Sequence, residues 1–392
     1  IGLTPHSSWI PGTSTVNFDK ISKERIFTSI DSTNMHKKMD LKKDYDLLKF
    51  KLGRIPMMVD FLEHGSRDPM LYVNYSKSYF NFVAEAEDRY QNVINNDQMK
   101  LLELFSGEIN NSKRIEESLM LRDLLDNGSV DIDEFKNLVM NKYGYTPSDK
   151  TIESCIFNLN FEFVTERKSN RLMSVRKIYN YNIIRREGNK LLMEDEFMEH
   201  LSQKDFATFL WDSINYSLKT YDEKYEQDNF IEGFQLYKKY SRKDVFRILN
   251  WEENPVAQNV GGYIIDKDKT NCPIFVNYHK AEDISSTTKY EDGFVNPSTF
   301  EWMSKSRRNL NSKDVQSIRN YKDGLRLPLF IKKSNDEGTE FYYMGDISPI
   351  DDSFVQTTME DDSGNEVSVV KIVFTMDSPV ESNIYKYITE SN

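Results

Sequence analysis

The chain has 392 residues, which at roughly 150 per domain leaves room for two or three domains. A composition of 38% hydrophobic, 29% charged and 13% aromatic residues excludes a disordered chain and leaves much of the burial to Tyr, Phe and Trp. The formal charge of −12, taken whole, argues against a protein that coats nucleic acid, so the charge has to be read segment by segment.

Residues 1 to about 30 open with Pro5, Pro11 and Gly12 and become apolar at intervals only over Val16–Ile30, the pattern of a leader into a helical region. Leu41, Tyr45, Leu48 and Leu52, then Ile55, Met58, Val59 and Leu62, follow helical spacing, broken at Gly53-Arg54-Ile55-Pro56, with Pro56 suited to the first turn of a second helix. Tyr72 to Leu104 continues the period, so the first hundred residues read as all-helical. Ile115–Leu125 is amphipathic and stops at Asn127-Gly128. Asp131 or Ser129 then caps a helix that stops at Gly144. Ser148 caps a third helix with Ile152, Cys155 or Ile156, and Leu159 in its buried stripe, and with Lys150, Thr151, Ser154 and Asn158 facing the other way. Phe161–Val164 and Ser174–Ile184, rich in aromatic and β-branched residues, complete the order of a winged helix-turn-helix.

Phe206–Tyr240 reads as connecting helices. Strands dominate beyond it: Gly262–Asp266, Pro273–Tyr278, Leu327–Lys332, Glu340–Gly345 and Val367–Met376, with a short helix at Ser312–Tyr321. The alternation of Phe341-Tyr342-Tyr343 puts Phe341 and Tyr343 in the core. The expected fold is therefore α+β. It comprises a helical module (1–110), a winged helix-turn-helix (111–202), connecting helices (203–240) and a β-rich, barrel-like or sandwich-like C-terminal domain (241–392).

The acidic total conceals two basic islands. Residues 302–333 carry nine bases (Lys305, Arg307, Arg308, Lys313, Arg319, Lys322, Arg326, Lys332, Lys333) against two acids, and residues 166–190 carry eight (among them Arg167, Lys168 and Arg171) against two. Residues 346–392 invert this, with two bases and ten acids. Cations beside hydrogen-bonding and aromatic residues are what phosphate contact requires. The candidate nucleic-acid-binding residues are accordingly Lys150, Thr151, Ser154, Asn158, Arg167, Lys168, Arg171, Tyr278, Lys280, Tyr290, Lys305, Arg307, Arg308, Lys332 and Lys333.

Catalytic motifs are missing from the sequence. The five histidines have no ligand spacing, and there is no GxxxxGK[ST], GxGxxG or GxSxG, nor the HxKxxxxD of a phospholipase D-type nuclease. His279-Lys280 with Glu282, Asp283, Glu291 and Asp292 gives the nearest suggestion of a metal-dependent nuclease, without an acid two residues before the lysine. No catalytic residue, metal site or cofactor is therefore assigned to this segment. Cys155 and Cys272 are too few for a disulfide framework and point to a reducing cytoplasm. The short apolar runs fall far below the roughly 20 residues of a membrane helix. The start, Ile1-Gly-Leu-Thr-Pro-His, has neither an initiator Met nor a signal-peptide pattern, so a fragment of a longer protein is expected.

The strings Tyr240-Ser-Arg-Lys-Asp-Val, Gly261-Gly-Tyr, Pro273-Ile-Phe-Val-Asn-Tyr-His-Lys, Lys289-Tyr-Glu-Asp-Gly-Phe, Trp302 to Arg308, Leu329-Phe-Ile-Lys-Lys-Ser and Phe341-Tyr-Tyr-Met-Gly resemble an uncharacterised domain. That domain closes bacterial DEAD/DEAH-box helicase-like proteins, often with a phospholipase D-type nuclease at their N-terminus and some of them associated with restriction or phage defence. Val16–Ile30 and Lys51-Leu-Gly-Arg-Ile-Pro are similar to the stretch after that helicase core. The resemblance implies a parent enzyme that uses ATP and Mg²⁺ and works on DNA, with the helicase core and a nuclease module as partners; it assigns no catalytic residue to this segment. The expected function is a non-catalytic DNA-recognition region. The alternatives are a scaffold that docks helicase and nuclease modules, and a metal-dependent nuclease in the β-domain.

Overall fold

The computed structural model describes residues 38–64, 67–256, 260–279, 292–360 and 365–390. The leader read over 16–30 lies outside these. Five helices come first: α1 (Lys38–Leu52), α2 (Met58–Glu63), α3 (Met70–Ser76), α4 (Tyr79–Ala86) and α5 (Asn96–Leu104). Pro56 sits just ahead of α2 rather than inside its first turn. Asn95 and Gln98 close the start of α5 reciprocally, each side chain accepting from the other's backbone N–H at 2.8 and 3.0 Å.

Next come α6 (Ile115–Asn127), β1 (Ser129–Asp131), α7 (Ile132–Tyr143) and α8 (Asp149–Leu159). Gly128 and Gly144 end α6 and α7 in the left-handed region at φ 75° and 79°. A Cβ on Gly144 would also displace the end of the Gln227 side chain, whose amide nitrogen lies 2.1 Å from that position, while the positive φ is what favours glycine there. Asp131, not Ser129, caps α7 by accepting from Asp133 and Glu134, and the Ser148 hydroxyl accepts from Thr151 N–H at 3.1 Å to start α8.

The strand pair expected over 161–164 and 174–184 is displaced. Phe161, at φ 55°, turns the chain while Phe161, Phe163 and Val164 are buried, so this apolar run is a buried turn and not a strand. The strands are β2 (Thr165–Lys168) and β3 (Arg171–Ser174), which form one hairpin, and β4 (Ile184–Glu187) and β5 (Lys190–Met193), which form another. Ser174 ends β3 by capping the short helix α9 (Val175–Tyr179). β1 joins the second hairpin in a three-stranded sheet of order β1-β5-β4.

After α10 (Asp195–Leu201), the long α11 (Lys204–Lys224) packs against α2, α5 and α6. Helix stops at Lys224 rather than Tyr240; beyond it run β6 (Phe230–Ile231), β7 (Phe234–Gln235) and β8 (Lys239–Ser241). Apolar residues from Leu41 to Tyr221 form one continuous core, so packing is unbroken across residue 110. Asp212 of α11 is buried and accepts from the Met58 N–H at 2.8 Å and from Val59, capping α2 from another helix; burial pushes its carboxyl up to about 7.

The remaining elements are α12 (Arg242–Ile248), β9 (Ile274–Asn277), β10 (Gly293–Asn296), β11 (Thr299–Met303), α13 (Lys313–Arg319), β12 (Pro328–Lys332), β13 (Glu340–Pro349), β14 (Val355–Glu360), β15 (Glu366–Met376) and α14 (Ser382–Thr389). They make a mixed eight-stranded sheet of order β10-β11-β15-β13-β12-β9, with β14 on β15 and β8 on β13. The stretch expected as a strand at 262–266 contributes only the Tyr263–Ile274 bridge. β13 bends at Gly345 (φ 106°), where the ladder to β12 slips by one residue. Before the bend it pairs with β8, across it with β12 and after it with β15, and the sheet curls into a half-barrel. Both faces are covered. Ile274, Val276, Leu329, Ile331, Tyr342 and Met344 face a core with Trp302, Phe374 and Ile388, while Phe275, Phe330, Phe341 and Tyr343 face α12. Phe341 and Tyr343 are thus core, as expected, and so is Tyr342 on the opposite side. Among the described residues no helix is long and apolar enough to cross a membrane.

The two halves meet across charge. Glu117, fully buried on α6, accepts from Arg114 at 3.4 Å and from Arg247 of α12 at 2.8 Å. Glu117→Ala would leave two buried guanidinium groups without their shared carboxylate and is expected to cost roughly 3–5 kcal/mol in urea unfolding; a loss below about 1 kcal/mol would show the triad to be replaceable. For Asp212 the folded-state pKa lies above the unfolded one, so its contribution is fully present below about pH 4 and is lost as pH rises through about 7. Asp212→Asn, which keeps an acceptor for α2, should abolish that part of the pH dependence and be more stable relative to the parent at pH 8 than at pH 4.

Candidate nucleic-acid interface

The polar face of α8 is divided. Lys150 is exposed and Thr151 half-buried, but Ser154 and Asn158 are buried. Ser154 Oγ accepts from Arg114 at 2.9 Å, and the Asn158 amide donates to Glu117 at 2.7 Å. These two residues therefore serve the junction between the halves and do not face a nucleic-acid groove. Their periodicity separates them from the apolar stripe but does not reveal that charged side chains of α6 and α12 cover them. Thr151 is partly engaged too, its hydroxyl accepting from Asn250 at 3.3 Å.

The hairpin β2–β3 keeps its cations outside. Its two-residue turn, Ser169-Asn170, has both φ angles positive (49° and 66°), the turn that matches strand twist. Arg167, Lys168 and Arg171 flank that turn and are exposed, with Leu172 51% exposed beside them. The hairpin's one acid, Glu166, is neutralised at the root, where it accepts from Lys100 at 2.6 Å and from the Tyr179 hydroxyl at 3.1 Å. The tip is left uniformly positive. The other arginines of this island are compensated: Arg176 by Glu162, Arg185 by Glu187 and Glu194, Arg186 by Glu153.

Much of the second island is buried or paired with acids. Lys332 and Lys333, 8% and 6% exposed, are not surface contacts: the Lys332 amine donates to the Gly338 carbonyl at 3.1 Å, and that of Lys333 lies 5.0 Å from the Tyr387 ring centre. The cause is β12, buried along all five residues, whose lysines must lie across neighbouring rings. Arg326 is held by Asp346 at 2.7 Å, Lys322 by Asp351 and Arg308 by Asp314 at 2.6 Å. Tyr278 is half-buried, its hydroxyl accepting from Phe294 N–H at 3.2 Å. Lys280 and Tyr290, like Glu282, Asp283 and Glu291, lie outside the described residues.

The loop after β11 keeps an active arrangement of charge. Buried Ser304 exchanges hydrogen bonds with the backbone of Val370, pinning the loop to β15. Arg307 follows, exposed and at φ 62°. Tyr263 donates to Asp314 at 2.7 Å, on the carboxylate oxygen that also accepts from Arg308. The Lys305 ammonium lies 4.7 Å over the Tyr263 ring and has no ion pair among the described residues; burial first, then Arg308, lowers its pKa. Gly261 (φ 55°) makes room for it, since a Cβ there would stand 3.0 Å from Lys305 Cε. The Gly261-Gly-Tyr and Trp302–Arg308 strings thus belong to one structural unit.

Sequence reasoning missed Arg242 and the pairing of Lys100 with Glu166; neither has a local pattern, because each partner is remote in the chain. Among the described residues Asp60, Glu63 and His64 bring ligand-type atoms within 4.8 Å of one another. Asp60 is already taken up by a bidentate pair with Arg54 and by the Met57 N–H.

Residues 234–388 match DUF3427, a domain of unknown function. Residues 41–226 match a second one, DUF8090. The two matched segments part where the helical half gives way to the sheet. No curated protein matches the sequence. Three solved structures show distant likeness. The DNA modification-dependent restriction endonuclease AspBHI is 15% identical over 38% of this chain and 77% of its own, with a TM-score of 0.27. KRYPTONITE in complex with mCHG DNA and SAH is 11% identical over 44% and 38%, TM-score 0.24. The sulfur-binding and SRA domains of ScoMcrA complexed with phosphorothioated DNA are 9% identical over 72% and 90%, TM-score 0.25. At TM-scores this low, none of the three carries a statement about the role of this chain.

Lys305→Met removes a half-buried cation that makes no ion pair among the described residues. The urea midpoint of the variant is expected to equal or exceed that of the parent while its DNA affinity falls; a lower midpoint would show that the ring contact outweighs the desolvation of the ammonium.

Proposed function

We propose that this chain is a non-catalytic DNA-binding region of a larger protein, reached through the β2–β3 hairpin on the helical half and the Lys305–Arg307 loop on the β half. The observation that carries the reading is the hairpin. On a chain of net charge −12 it presents Arg167, Lys168 and Arg171 with its one acid neutralised at the root, which is an arrangement for holding phosphates. The succession α6-β1-α7-α8-β4-β5, with β1 paired to β5 and with β2, β3 and α9 between α8 and β4, supports a winged helix-turn-helix reading of residues 111–202. In the version favoured by the side chains, α8 offers Lys150 and Thr151 at its exposed end, and the β2–β3 hairpin supplies the phosphate contacts.

The match of residues 234–388 to DUF3427 supports the resemblance to the C-terminal regions of helicase-like proteins. On that reading the parent is an ATP-dependent helicase-type protein of restriction or defence in the cytoplasm. ATP and Mg²⁺ are bound upstream, and the helicase core with a nuclease module are its partners. A scaffold role has one observation in its favour: α1 exposes Met39, Leu47 and Phe50 at 71%, 68% and 89% on one side of the helix.

Fluorescence anisotropy with single-stranded, duplex, forked and base-modified DNA over a salt series tests the DNA reading. The wild-type chain should bind with a steep salt dependence. The Arg167→Ala/Lys168→Ala/Arg171→Ala variant should bind at least tenfold more weakly, its log–log slope reduced by about 2 to 3. Equal affinity and slope for this variant and the wild type would remove the hairpin from the interface and leave the apolar face of α1 as the better-supported contact.

A further inference from the structure

On the sheet face covered by α12, Arg242 is half-buried with its guanidinium 5.2 Å from the Phe275 ring centre and 5.0 Å from that of Phe341. The two rings meet edge to face at 5.3 Å, so the cation rests in the corner between them. Its Nε is buried without a hydrogen bond, and among the described residues no carboxylate pairs with it. Desolvation alone acts on it, and lowers its pKa. Among the described residues the buried arginines Arg114 and Arg247 share Glu117, and the largely buried Arg326 has Asp346. Arg242 is held in place by rings that orient it but do not neutralise it.

A second cation stands behind it. Lys332 faces the same side of the sheet as Phe330, its amine 5.0 Å from the Phe341 ring centre and bonded to the Gly338 carbonyl; burial and then Arg242 lower its pKa, and the Glu337 carboxylate opposes them in part. Around the same rings two neutral polar atoms are also buried without partners, Trp251 Nε1 and Asn277 Oδ1. The Trp251 ring stacks on Phe246 at 4.6 Å, Phe246 meets Phe275 at 6.0 Å, and Asn277 pairs with Lys332 in the β9–β12 register. The place therefore has an apolar floor, the positive charges of Arg242 and Lys332 set against the single carboxylate of Glu337, and spare hydrogen-bonding capacity. Holding two partly desolvated cations against one acid opposes folding, and a bound anion relieves that cost.

We propose that Arg242, backed by Lys332, forms an anion site for a terminal phosphate, the phosphate monoester of a nucleotide or of a nucleic-acid end. Two cations match the charge of about −1.5 to −2 that a monoester carries at neutral pH better than the single charge of a carboxylate or a phosphodiester. The guanidinium rests against Phe275 and Phe341 and keeps N–H donors that no acceptor among the described residues takes up, the donor type that grips phosphate oxygens in pairs. The choice of a nucleic-acid carrier rests on the DNA-binding reading above. The anion site itself does not, since it lies on the other half of the chain from the hairpin.

Isothermal titration of the full chain with inorganic phosphate, 5′-dAMP and deoxyadenosine tests the site, and a short duplex with and without 5′-phosphates distinguishes the carrier. Phosphate and dAMP should bind competitively and deoxyadenosine should not. The 5′-phosphorylated duplex should bind more tightly than the 5′-hydroxyl form. Arg242→Ala should weaken dAMP at least tenfold, Arg242→Lys and Lys332→Met less, and the hairpin triple variant not at all. Circular dichroism confirms that each variant is folded, and Arg242→Lys stands in if Arg242→Ala is not. No binding of phosphate or dAMP to the wild-type chain at millimolar concentration, or equal binding by wild type and a folded Arg242 variant, overturns the site. A phosphoserine peptide that binds while dAMP and the phosphorylated duplex do not overturns the nucleic-acid carrier.

Discussion

The arrangement of this protein depends on one buried carboxylate. Glu117 on α6 is shared by Arg114 beside it and by Arg247 from α12, more than a hundred residues away in sequence. The rest of the junction is built around these three. Arg114 also donates to Ser154, to the Arg247 carbonyl and to Asn250. Arg247 also donates to the Glu108 carbonyl, Asn111 and Asp244. Lys113 and Lys243 bridge the same seam to Glu340 and Glu108. Buried ion pairs add little net stability over apolar contacts of the same volume, because desolvation consumes most of the Coulombic gain. They penalise misalignment instead: a small slip leaves a buried charge unpaired, whereas an apolar seam would tolerate it.

The junction determines which charged residues remain for the outside. It draws in the polar face of α8, and so Ser154 and Asn158. In the sheet, burial on both faces draws in Lys332, Lys333 and Arg326 in the same way. A count of cations along the chain therefore overstates the surface potential of residues 302–333 and describes residues 166–190 better. Proximity of acids decides the difference. Asp314, Asp346 and Asp351 stand within reach of the first island, whereas the tip of β2–β3 projects beyond its one acid, which Lys100 holds at the root.

What was legible in the sequence was local. Gly128, Gly144 and Ser148 mark helix ends because capping and left-handed geometry need only a few neighbouring residues. The strands around 274–277, 328–332 and 366–376 are runs of apolar and β-branched residues that read as strands without any partner. β10, β11 and β14 were not visible, since Gly293–Asn296 and Val355–Glu360 are half-exposed, lack an apolar run of their own and are held in the sheet by pairing with β11 and β15. The run Phe161–Val164 has strand composition but lies in the core as a turn, and there tertiary burial overrode local preference. The site residues divide along the same line. An exposed hairpin tip is legible because nothing covers it. The fates of Ser154, Asn158, Lys332 and Arg242 depend on segments that pack from elsewhere.

The junction also bears on how two separate contacts could act as one. The hairpin belongs to the helical core and Arg242 to the sheet, and Arg242 opens the same short helix that carries Arg247 into the triad. Five residues, a little over one turn of helix, thus tie the aromatic corner that holds Arg242 to Glu117 in α6. A flexible tether between two weak contacts gives an effective concentration diluted over all the positions the tether allows, while a rigid one confines the second contact to a single offset from the first. With one geometry enforced, a ligand with the right spacing gains from both contacts, and a ligand with the wrong spacing gains from only one. Selectivity can then arise from distance, without base-specific contacts at either site, and it would decline if the buried charges of the junction were exchanged for apolar residues that let the halves slide.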